Sequence, residues 1–314
     1  MKAIVLNNYG PAEDLRFQDV PLPIPAPEQV LVKIYATAVN HVDLAIGAGA
    51  FQQVFPTKFP WIPGYDFAGV IETVGEQVKG FKTGDEVYGA SIYGGTYAEY
   101  IAVSPEAIAL KPRTLSFTET ASVPVSAETA WQVLFQHAKV TKGQTILIHG
   151  GAGAVGTFAV QMAHQAGVKV LVTASPADKT LLEGLGADRV IDYKGAPFES
   201  LVSGLDAVID FVGGAVQARS YQVIKEGGYL ISLNQPVSEE MAAQYKVHAI
   251  FSELQPSHEG LARIADLIDS GALKINMGSI YPIQQATDAW NASQGKGVSG
   301  RKKGRIILQV IPNA

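Results

Sequence analysis

Hydrophobic residues in the first third of the chain fall in short runs that turn-forming residues interrupt. Apolar or alternating segments predict strands at residues 3–6, 30–39, 67–74, 86–90 and 96–103, with Gly, Pro and Asp between them. Many short strands at close spacing are typical of a small barrel-like β domain.

Helical signals first occur near residue 116. Ser116 and Glu119 have the spacing of a capping box, in which each side chain satisfies an unpaired N–H at a helix start. Apolar positions between residues 126 and 137 then recur at helical spacing. A helical segment is therefore predicted to follow the β-rich one.

From residue 144 the pattern alternates between strand and helix. The predicted strands are 145–149, 169–173, 189–192, 207–212, 229–233 and 247–251, and helices between them include 155–165, 176–185 and 216–225. Parallel neighbours need long return connections, so six strands with helical crossovers predict a doubly wound parallel sheet of the Rossmann type.

The end of the chain holds one amphipathic helix at 261–270 and a last apolar strand at 305–310. A tail of this kind commonly rejoins the first domain. The predicted fold class is therefore α/β, with a discontinuous β domain at 1–122 and 254–314. The Rossmann nucleotide-binding domain is predicted at 123–253.

Composition narrows the functional classes. Hydrophobic residues make up 47% of the chain and the net charge is −5, which suits a globular protein and argues against nucleic-acid binding. The absence of cysteine excludes disulfides and thiolate chemistry, and it is compatible with a reducing compartment. No secretory signal and no run of roughly 20 apolar residues is present, so we expect a cytoplasmic protein without membrane insertion.

The segment Gly151-Ala-Gly-Ala-Val-Gly156 matches the pattern G-x-G-x-x-G. It directly follows an apolar strand and opens a helix, which is the context that a dinucleotide-binding loop requires. Its glycines would allow a tight turn, a close approach to pyrophosphate and close helix–strand packing. A plain strand–helix turn is the alternative, and the surrounding alternation of strands and helices favours dinucleotide binding.

The end of the second strand of that domain bears on which dinucleotide binds. NAD-specific folds place an acidic residue there, whereas this chain has Thr173-Ala-Ser-Pro176, and Asp178 falls in the next predicted helix. Ser175 and Lys179 could bind a 2′-phosphate with Tyr193 beside it, although Lys179 alone could be a solvated helix lysine. The sequence favours NADPH, without an arginine in this loop.

Several motifs in combination resemble a known family. They are Asn40-His-Val-Asp43, Pro63-Gly-Tyr-Asp-Phe-Ala-Gly69, Gly84-Asp-Glu-Val87, Gly95-Thr-Tyr-Ala-Glu-Tyr100, the glycine loop and Leu185-Gly-Ala-Asp188. The chain resembles the medium-chain dehydrogenase/reductase superfamily, in its zinc-independent quinone oxidoreductase (zeta-crystallin-like) branch. This resemblance implies a GroES-like β domain with a Rossmann domain.

Residue types argue against a metal. Zinc alcohol dehydrogenases of this superfamily have Cys where Asn40 stands and a His-Glu pair where Tyr65-Asp66 stand. Asn and Tyr do not make a tetrahedral zinc site, and the six histidines are dispersed along the chain. We expect no metal.

The resemblance also implies a cofactor cleft between the domains. Its residues would be Asn40 at the nicotinamide, Thr129 near the pyrophosphate or amide, Gly151, Ala152, Gly153, Ala154, Val155 and Gly156 at the pyrophosphate, Ala174, Ser175, Lys179 and Tyr193 at the adenosine phosphate, and Val212, Leu233 and Phe251 along the groove. Family members often have a tyrosine two residues after Asp43. This chain has Ala45 there, which removes one candidate general acid.

The candidate catalytic residues are Asn40, Tyr65 and Tyr93, each with a structural alternative. Asn40 could form a turn at a strand end, and the tyrosines could be packing residues with wet hydroxyls.

Neighbouring charged groups have predicted structural roles. Asp43 is expected to cap a helix and Asp66 to bond backbone in its turn. The run at 300–305 is expected to be a solvated basic hairpin, one of whose charges could meet the cofactor.

The predicted function is an NADPH-dependent, zinc-independent oxidoreductase that transfers hydride to quinones. The alternatives are an enone or 2-alkenal reductase and an NADPH-binding protein with little turnover. Protonation could come from solvent, so no single essential acid is required. The family often pairs through the last Rossmann strand, so a homodimer is expected.

Overall fold

The computed structural model describes residues 1–53, 56–296 and 304–312. The chain divides into two compact units, one formed by Met1–Val125 with Gln255–Ala314 and the other by Ser126–Leu254. The second unit is thus inserted in the sequence of the first. Each unit has its own sheet and its own apolar core.

Within the described residues the regular elements alternate as follows. The strands are β1 (Lys2–Val5), β2 (Arg16–Asp19), β3 (Val30–Ala38), β4 (Asp66–Val74), β5 (Glu86–Ala90), β6 (Tyr100–Val103), β7 (Ile108–Leu110), β8 (Thr145–His149), β9 (Lys169–Ala174), β10 (Arg189–Asp192), β11 (Leu205–Asp210), β12 (Ile224–Ser232), β13 (His248–Phe251), β14 (Met277–Pro282) and β15 (Arg305–Gln309). The α-helices are α1 (His41–Gly47), α2 (Phe117–Thr120), α3 (Pro124–Trp131), α4 (Ala154–Gln165), α5 (Lys179–Gly184), α6 (Ala215–Ser220), α7 (Glu239–Tyr245), α8 (His258–Asp269) and α9 (Ala286–Ser293).

The first unit is built on a seven-stranded sheet. Its order is β14-β15-β3-β4-β5-β7, and β6 pairs with β3 outside this path. Alternate residues of a strand share a face, and Val30, Val32 and Ile34 of β3 accordingly pack with Phe67 and Ile71 of β4 in one core. The predicted β domain is therefore confirmed.

The end of the chain completes this sheet. In the antiparallel pairing of β15 with β3, Ile307 lies opposite Ala38 and Leu308 opposite Thr37. A second core forms around Trp290 of α9, which is 2% exposed and packs with Leu6. The tail therefore contributes both a strand and a core helix to the first unit.

The second unit is a six-stranded parallel sheet in the order β10-β9-β8-β11-β12-β13. Counted from β8 this is the order 3-2-1-4-5-6, which defines the Rossmann fold. The direction of winding reverses between β8 and β11, so the carboxyl ends of these two strands flank the position where such sheets bind ligands. The predicted Rossmann sheet is confirmed.

Some elements differ from the predicted ones. The predicted helix at 216–225 ends as α6 at Ser220, because Ile224 already pairs with Leu205 in the sheet. The edge strand β14 contains Gly278 and Pro282, which are poor strand formers and hide it from pattern analysis. In the described part of the chain, no helix has the length and apolar character needed to cross a membrane.

Candidate functional site

The glycine loop joins β8 to α4, as the sequence predicts. Gly150 has a φ of +76°, in the left-handed region that favours glycine. A Cβ on Gly151 would lie 2.1 Å from Cγ1 of Val172, and a Cβ on Gly156 would lie 2.4 Å from the Gly150 carbonyl oxygen. Both positions must therefore be glycine for the loop to pack against β9 and α4.

Gly153 has more room than these neighbours. In the described part of the chain, a Cβ there would come within 4 Å of one atom, the Gly150 carbonyl oxygen, at 3.2 Å. Gly153 is the N-cap of α4, and no side chain of residues 1–53, 56–296 or 304–312 caps this end of the helix. An uncapped helix of 12 residues presents free N–H groups and the positive end of its dipole, an arrangement that binds phosphate. The loop therefore fits the pyrophosphate of a dinucleotide.

The residues predicted to bind the adenosine phosphate lie at the end of β9. No carboxylate occurs in this strand. The Tyr193 N–H donates to the Ala174 carbonyl oxygen over 3.4 Å, which brings the segment after β10 beside Ala174 and Ser175. Tyr193 is 61% exposed, and Lys179 Nζ lies 3.7 Å from a carboxylate oxygen of Glu183. The structure thus brings Tyr193 beside Ala174 and Ser175, whereas the Lys179 side chain pairs within α5.

The predicted groove residues lie at the carboxyl ends of the parallel strands. In the sheet register His149, Asp210, Ser232 and Phe251 form one row across neighbouring strands. Val212 and Phe251 are 50% and 38% exposed, and Leu233 is half-buried. Thr129 is buried on α3.

Sequence reasoning missed Asp210 in this row. Its Oδ1 accepts hydrogen bonds from the N–H groups of Val212 and Gly213, both at 2.9 Å. Its Oδ2 is buried and has no hydrogen-bond partner among the described residues, and burial raises the pKa of this carboxyl. The sequence signal that could have identified Asp210 is an acidic residue near the end of an apolar strand, three residues before Gly213-Gly214.

His149, directly before the glycine loop, is also buried. Nδ1 lies 2.9 Å from Thr173 Oγ1, and Nε2 lies 3.1 Å from Ser220 Oγ. Because Ser220 donates its hydroxyl hydrogen to the Val216 carbonyl, Nε2 must donate to Ser220 and Nδ1 accepts from Thr173. Burial lowers the pKa of His149 to about 4, so a neutral ring ties β8 to β9 and α6.

Asn40, predicted to act in catalysis, has its amide engaged on both sides. Its Nδ2 donates to Asp66 Oδ2 over 2.8 Å and to the Ala38 carbonyl over 3.4 Å. Its Oδ1 accepts from Arg305 over 2.8 Å, and Arg305 also pairs with Asp66. The second oxygen of Asp66 accepts from the Val125 N–H at 2.7 Å. These contacts fix the amide plane of Asn40.

Asp43 continues this buried network. Its Oδ2 accepts from the Asn40 N–H and from the Tyr97 hydroxyl, both at 2.8 Å, which confirms its capping role at the start of α1. The Tyr97 oxygen in turn accepts from Trp290 Nε1 over 3.2 Å. We call Asn40, Asp43, Asp66, Tyr97 and Arg305 the polar cluster.

The two carboxyl groups of the polar cluster differ in their partners. Asp43 Oδ1 has no hydrogen-bond partner among the described residues, and burial raises the pKa of Asp43 to about 7. Burial also raises the pKa of Asp66, while the Arg305 guanidinium opposes that shift. One guanidinium therefore faces two buried carboxyl groups, and its direct ion pair is with Asp66.

Arg305 corrects one prediction from the sequence. It was expected in a solvated basic hairpin, whereas it is 8% exposed and belongs to the polar cluster. The apolar residues that follow it in β15 carry it into the sheet beside β3. Residues 300–303 of the same basic run lie outside the described residues.

The two candidate tyrosines lie in different surroundings. Tyr65 is half-buried, and its hydroxyl has no hydrogen-bond partner within the described residues. Burial, and then the charge of Asp43, raise the pKa of Tyr65. Tyr93 is 85% exposed, and the structure does not bring it into the polar cluster.

Comparison with known proteins gives the family. Residues 26–113 match the family described as alcohol dehydrogenase GroES-like domain, and residues 185–308 match zinc-binding dehydrogenase. The 2-methylene-furan-3-one reductase of Solanum lycopersicum is 37% identical, over 99% of this chain and 80% of that protein. The chain belongs to the medium-chain dehydrogenase/reductase superfamily. Its β unit is the GroES-like domain and its inserted unit the Rossmann domain, as predicted.

Solved structures indicate the branch of this superfamily. The quinone oxidoreductase from Coxiella burnetii superposes with a TM-score of 0.89 at 32% identity, covering 99% of both chains. Mycobacterial Rv1454c, solved in complex with NADPH, gives 0.86 at 27% identity over 99% of this chain and all of that one. This medium-chain dehydrogenase/reductase is an oxidoreductase of the quinone oxidoreductase branch.

The superfamily's zinc does not fit this chain's residues. Asn40, Tyr65 and Asp66 stand at the positions that hold zinc in the zinc alcohol dehydrogenases. Here the Arg305 guanidinium bonds to Asn40 and Asp66, so a fixed positive charge already faces two of the three positions. Asn and Tyr are also not ligands of a tetrahedral zinc site.

Proposed function

We propose that this oxidoreductase reduces quinones with NADPH and without zinc. The observation that supports this most is the glycine loop, whose backbone leaves space at Gly153 beside the uncapped start of α4. The absence of a carboxylate from β9 favours NADPH over NADH. The NADPH-bound mycobacterial neighbour supports the same cofactor.

In this proposal the second unit binds the cofactor. The bound nicotinamide supplies a hydride, and the protein provides binding and orientation. The N–H groups of Ala154 and Val155 hold the pyrophosphate. Ser175, Lys179 and Tyr193 hold the adenosine phosphate.

The acceptor requires a hydrogen-bond donor where negative charge develops on its oxygen. The Asn40 amide nitrogen already donates to two protein acceptors. We therefore assign Asn40 a positioning role, and not the role of donating a hydrogen bond to the acceptor substrate. The Tyr65 hydroxyl stays protonated because its pKa is raised, so it can donate a hydrogen bond without losing its proton. Solvent then supplies the proton, and Tyr93 is an exposed contact for the acceptor.

A second candidate substrate is a conjugated enone or alkenal. It is favoured by the tomato relative, whose name describes reduction of a 2-methylene-furan-3-one. Hydride would then add to a carbon of the conjugated C=C bond, and no quinone would be reduced. The same residues bind the cofactor in both cases, so the geometry of the cofactor site does not separate the two substrates.

The test follows NADPH and NADH consumption separately with a naphthoquinone, phenanthrenequinone and a short enone. We expect NADPH-dependent turnover of a quinone, and turnover of the enone alone would favour the second candidate. Binding of NADPH without turnover of any acceptor would favour a non-catalytic protein. Activity with NADH only would refute the proposed cofactor.

Single substitutions test the proton source. Tyr65→Phe, Tyr93→Phe and Asn40→Ala should each lower quinone turnover without abolishing it, because water supplies the proton. Complete loss of turnover in one variant that still binds NADPH would identify an essential acid and contradict this part of the proposal.

We further propose that the protein is a cytoplasmic homodimer that pairs through β13. This strand is the edge of the parallel sheet, and an edge strand offers unpaired backbone groups to a second copy. Light scattering of the wild type and of a variant with Pro at Ile250 of β13 tests the assembly. A monomeric wild type would contradict it.

A further inference from the structure

We infer that Asp178 and Lys194 set the preference between NADPH and NADH, with Asp178 disfavouring the 2′-phosphate and Lys194 favouring it. The inference rests on the proposed function in that it takes the adenosine end of the cofactor to lie at Ser175. It adds two residues with opposite effects on cofactor preference, and neither of them belongs to the glycine loop or to β9.

The turn after β9 brings a carboxylate back to the end of the strand. Residues Pro176–Asp178 form a single 3₁₀ turn with Ser175 as its N-cap, and Asp178 stands third after that cap, where a side chain can reach back to it. Its Oδ2 accepts a hydrogen bond from the Ser175 hydroxyl over 2.6 Å. The strand itself contains no acidic residue, but the carboxylate of Asp178, three residues after Ser175, therefore lies beside Ser175 at the strand end.

A carboxylate at this point has opposite effects on the two cofactors. It can accept a hydrogen bond from a ribose 2′-hydroxyl, which is how NAD-specific folds recognise that group. A 2′-phosphate carries a charge of about −1.5 to −2 near neutral pH and is repelled by the same carboxylate. Asp178 therefore opposes NADPH.

The two polar groups first predicted to bind the phosphate are both engaged with carboxylates. Ser175 donates its hydroxyl hydrogen to Asp178. Lys179 Nζ lies 3.7 Å from Glu183, one turn further along α5. A 2′-phosphate held by Ser175 and Lys179 therefore has to compete with the carboxylates of Asp178 and Glu183.

Lys194 supplies a positive charge in the turn that follows β10, next to Tyr193. The hydrogen bond from the Tyr193 N–H to the Ala174 carbonyl holds the start of this turn against β9. The Lys194 N–H donates to Asp192 Oδ1 over 2.9 Å, which closes the turn.

Among the described residues, the Lys194 ammonium group has no carboxylate partner. Its Nζ lies 5.7 Å from the centre of the Tyr193 ring, and no carboxylate of the described residues forms an ion pair with it. Lys194 is therefore available to a phosphate placed beside Tyr193.

The test compares adenosine 2′,5′-bisphosphate with adenosine 5′-monophosphate, which differ only in the 2′-phosphate. Calorimetry gives the ratio of their affinities without any turnover. We expect Asp178→Asn to raise the ratio in favour of the bisphosphate about fivefold and Lys194→Gln to lower it about fivefold, as for exposed charge pairs. KM for NADPH against NADH should move in the same directions.

Two matched controls carry the same charge changes elsewhere in the second unit. Glu240→Gln removes an exposed carboxylate on α7, and Lys169→Gln removes an exposed lysine at the opposite end of β9. Neither should change the ratio. Asp178→Ser provides a second carboxylate-free variant in case the asparagine disturbs the turn.

The outcomes separate this inference from the proposed function. An unchanged ratio in both Asp178 variants, or in Lys194→Gln, overturns the inference whatever the wild type prefers. Opposite shifts in the expected directions support it even if the wild type binds the monophosphate more tightly, a result that would refute only the NADPH preference.

Discussion

Replacement of Asp43 by asparagine should make the first unit less sensitive to pH. The new amide would keep an oxygen to accept from the Asn40 N–H and the Tyr97 hydroxyl. It would place an NH₂ group where Asp43 Oδ1 has no hydrogen-bond partner within the described residues. The Asp43→Asn variant therefore preserves the two bonds and removes a buried ionisable group.

The magnitude follows from the pKa of Asp43, which burial raises from 3.8 to about 7 in the folded protein. A raised carboxyl pKa means that the folded state binds the proton more tightly. The resulting stability is complete below pH 4 and is lost as the pH rises towards 7. From pH 5 to 7 the slope is about 1.4 kcal/mol per unit and falls off near the folded pKa, so the wild type loses about 2 kcal/mol that the variant retains.

Urea unfolding at pH 5, 6, 7 and 8 measures this difference. Trp61 and Trp290 lie in the first unit and Trp131 in the second, so a Trp131→Phe background makes fluorescence report the unit that contains Asp43. Asp19→Asn is the control, because Asp19 is exposed and Lys2 lowers its pKa. Its effect should stay constant from pH 5 to 8.

The refuting result is a variant whose stability runs parallel to that of the wild type across this range. Asp43 would then be ionised in the folded protein at pH 5, and Tyr97 with the Asn40 N–H would outweigh burial. This holds also for a parallel profile in which the variant is less stable than the wild type at every pH.

Three further predictions concern other parts of the molecule. Gly153→Val should raise KM for NADPH at least about tenfold and lower the melting temperature only slightly, since its Cβ meets the Gly150 carbonyl oxygen at 3.2 Å and the rest of the side chain fills the phosphate cradle; a large fall in melting temperature with normal NADPH binding would contradict this. Arg305→Met should cost about 3–5 kcal/mol in urea unfolding by leaving the Asp66 carboxylate buried without its cation, and adding Asp66→Asn should recover most of that loss. For His149, whose pKa burial lowers from 6.5 to about 4, the wild type should lose about 3 kcal/mol as the pH falls from 6.5 to 4, and His149→Gln should not show this loss; equal pH profiles would refute the buried neutral ring.

The sequence was sufficient where the determining interactions are local. The glycine loop could be predicted because its glycines, the preceding strand and the following helix lie within about twenty residues, and this combination favours a dinucleotide-binding loop over a plain turn. The Ser116–Glu119 capping box likewise occurs with both reciprocal bonds, at 2.9 and 3.3 Å. The alternation of strands and helices predicted the parallel sheet for the same reason.

The polar cluster shows what local patterns could not supply. Arg305 sits in a basic run that would suit solvent, and only the pairing of β15 with β3 buries it beside Asp66 and Asn40. The contact between Asp178 and Ser175 was also not evident from the sequence pattern. The pattern predicts Asp178 as a helix residue but does not show that its carboxylate turns back to Ser175, the N-cap of the 3₁₀ turn after β9.

The ion pair between Asp66 and Arg305 also has a consequence for biosynthesis. Its partners are 239 residues apart, so a ribosome that adds about 5–20 residues per second delivers the guanidinium about 10–50 s after the carboxylate. The inserted Rossmann unit, a contiguous stretch of chain, is complete before that. During translation the GroES-like unit must therefore wait for its final strand, with Asp66 still hydrated, and a nascent chain stalled before residue 305 would expose this unfinished sheet to chaperones and proteases.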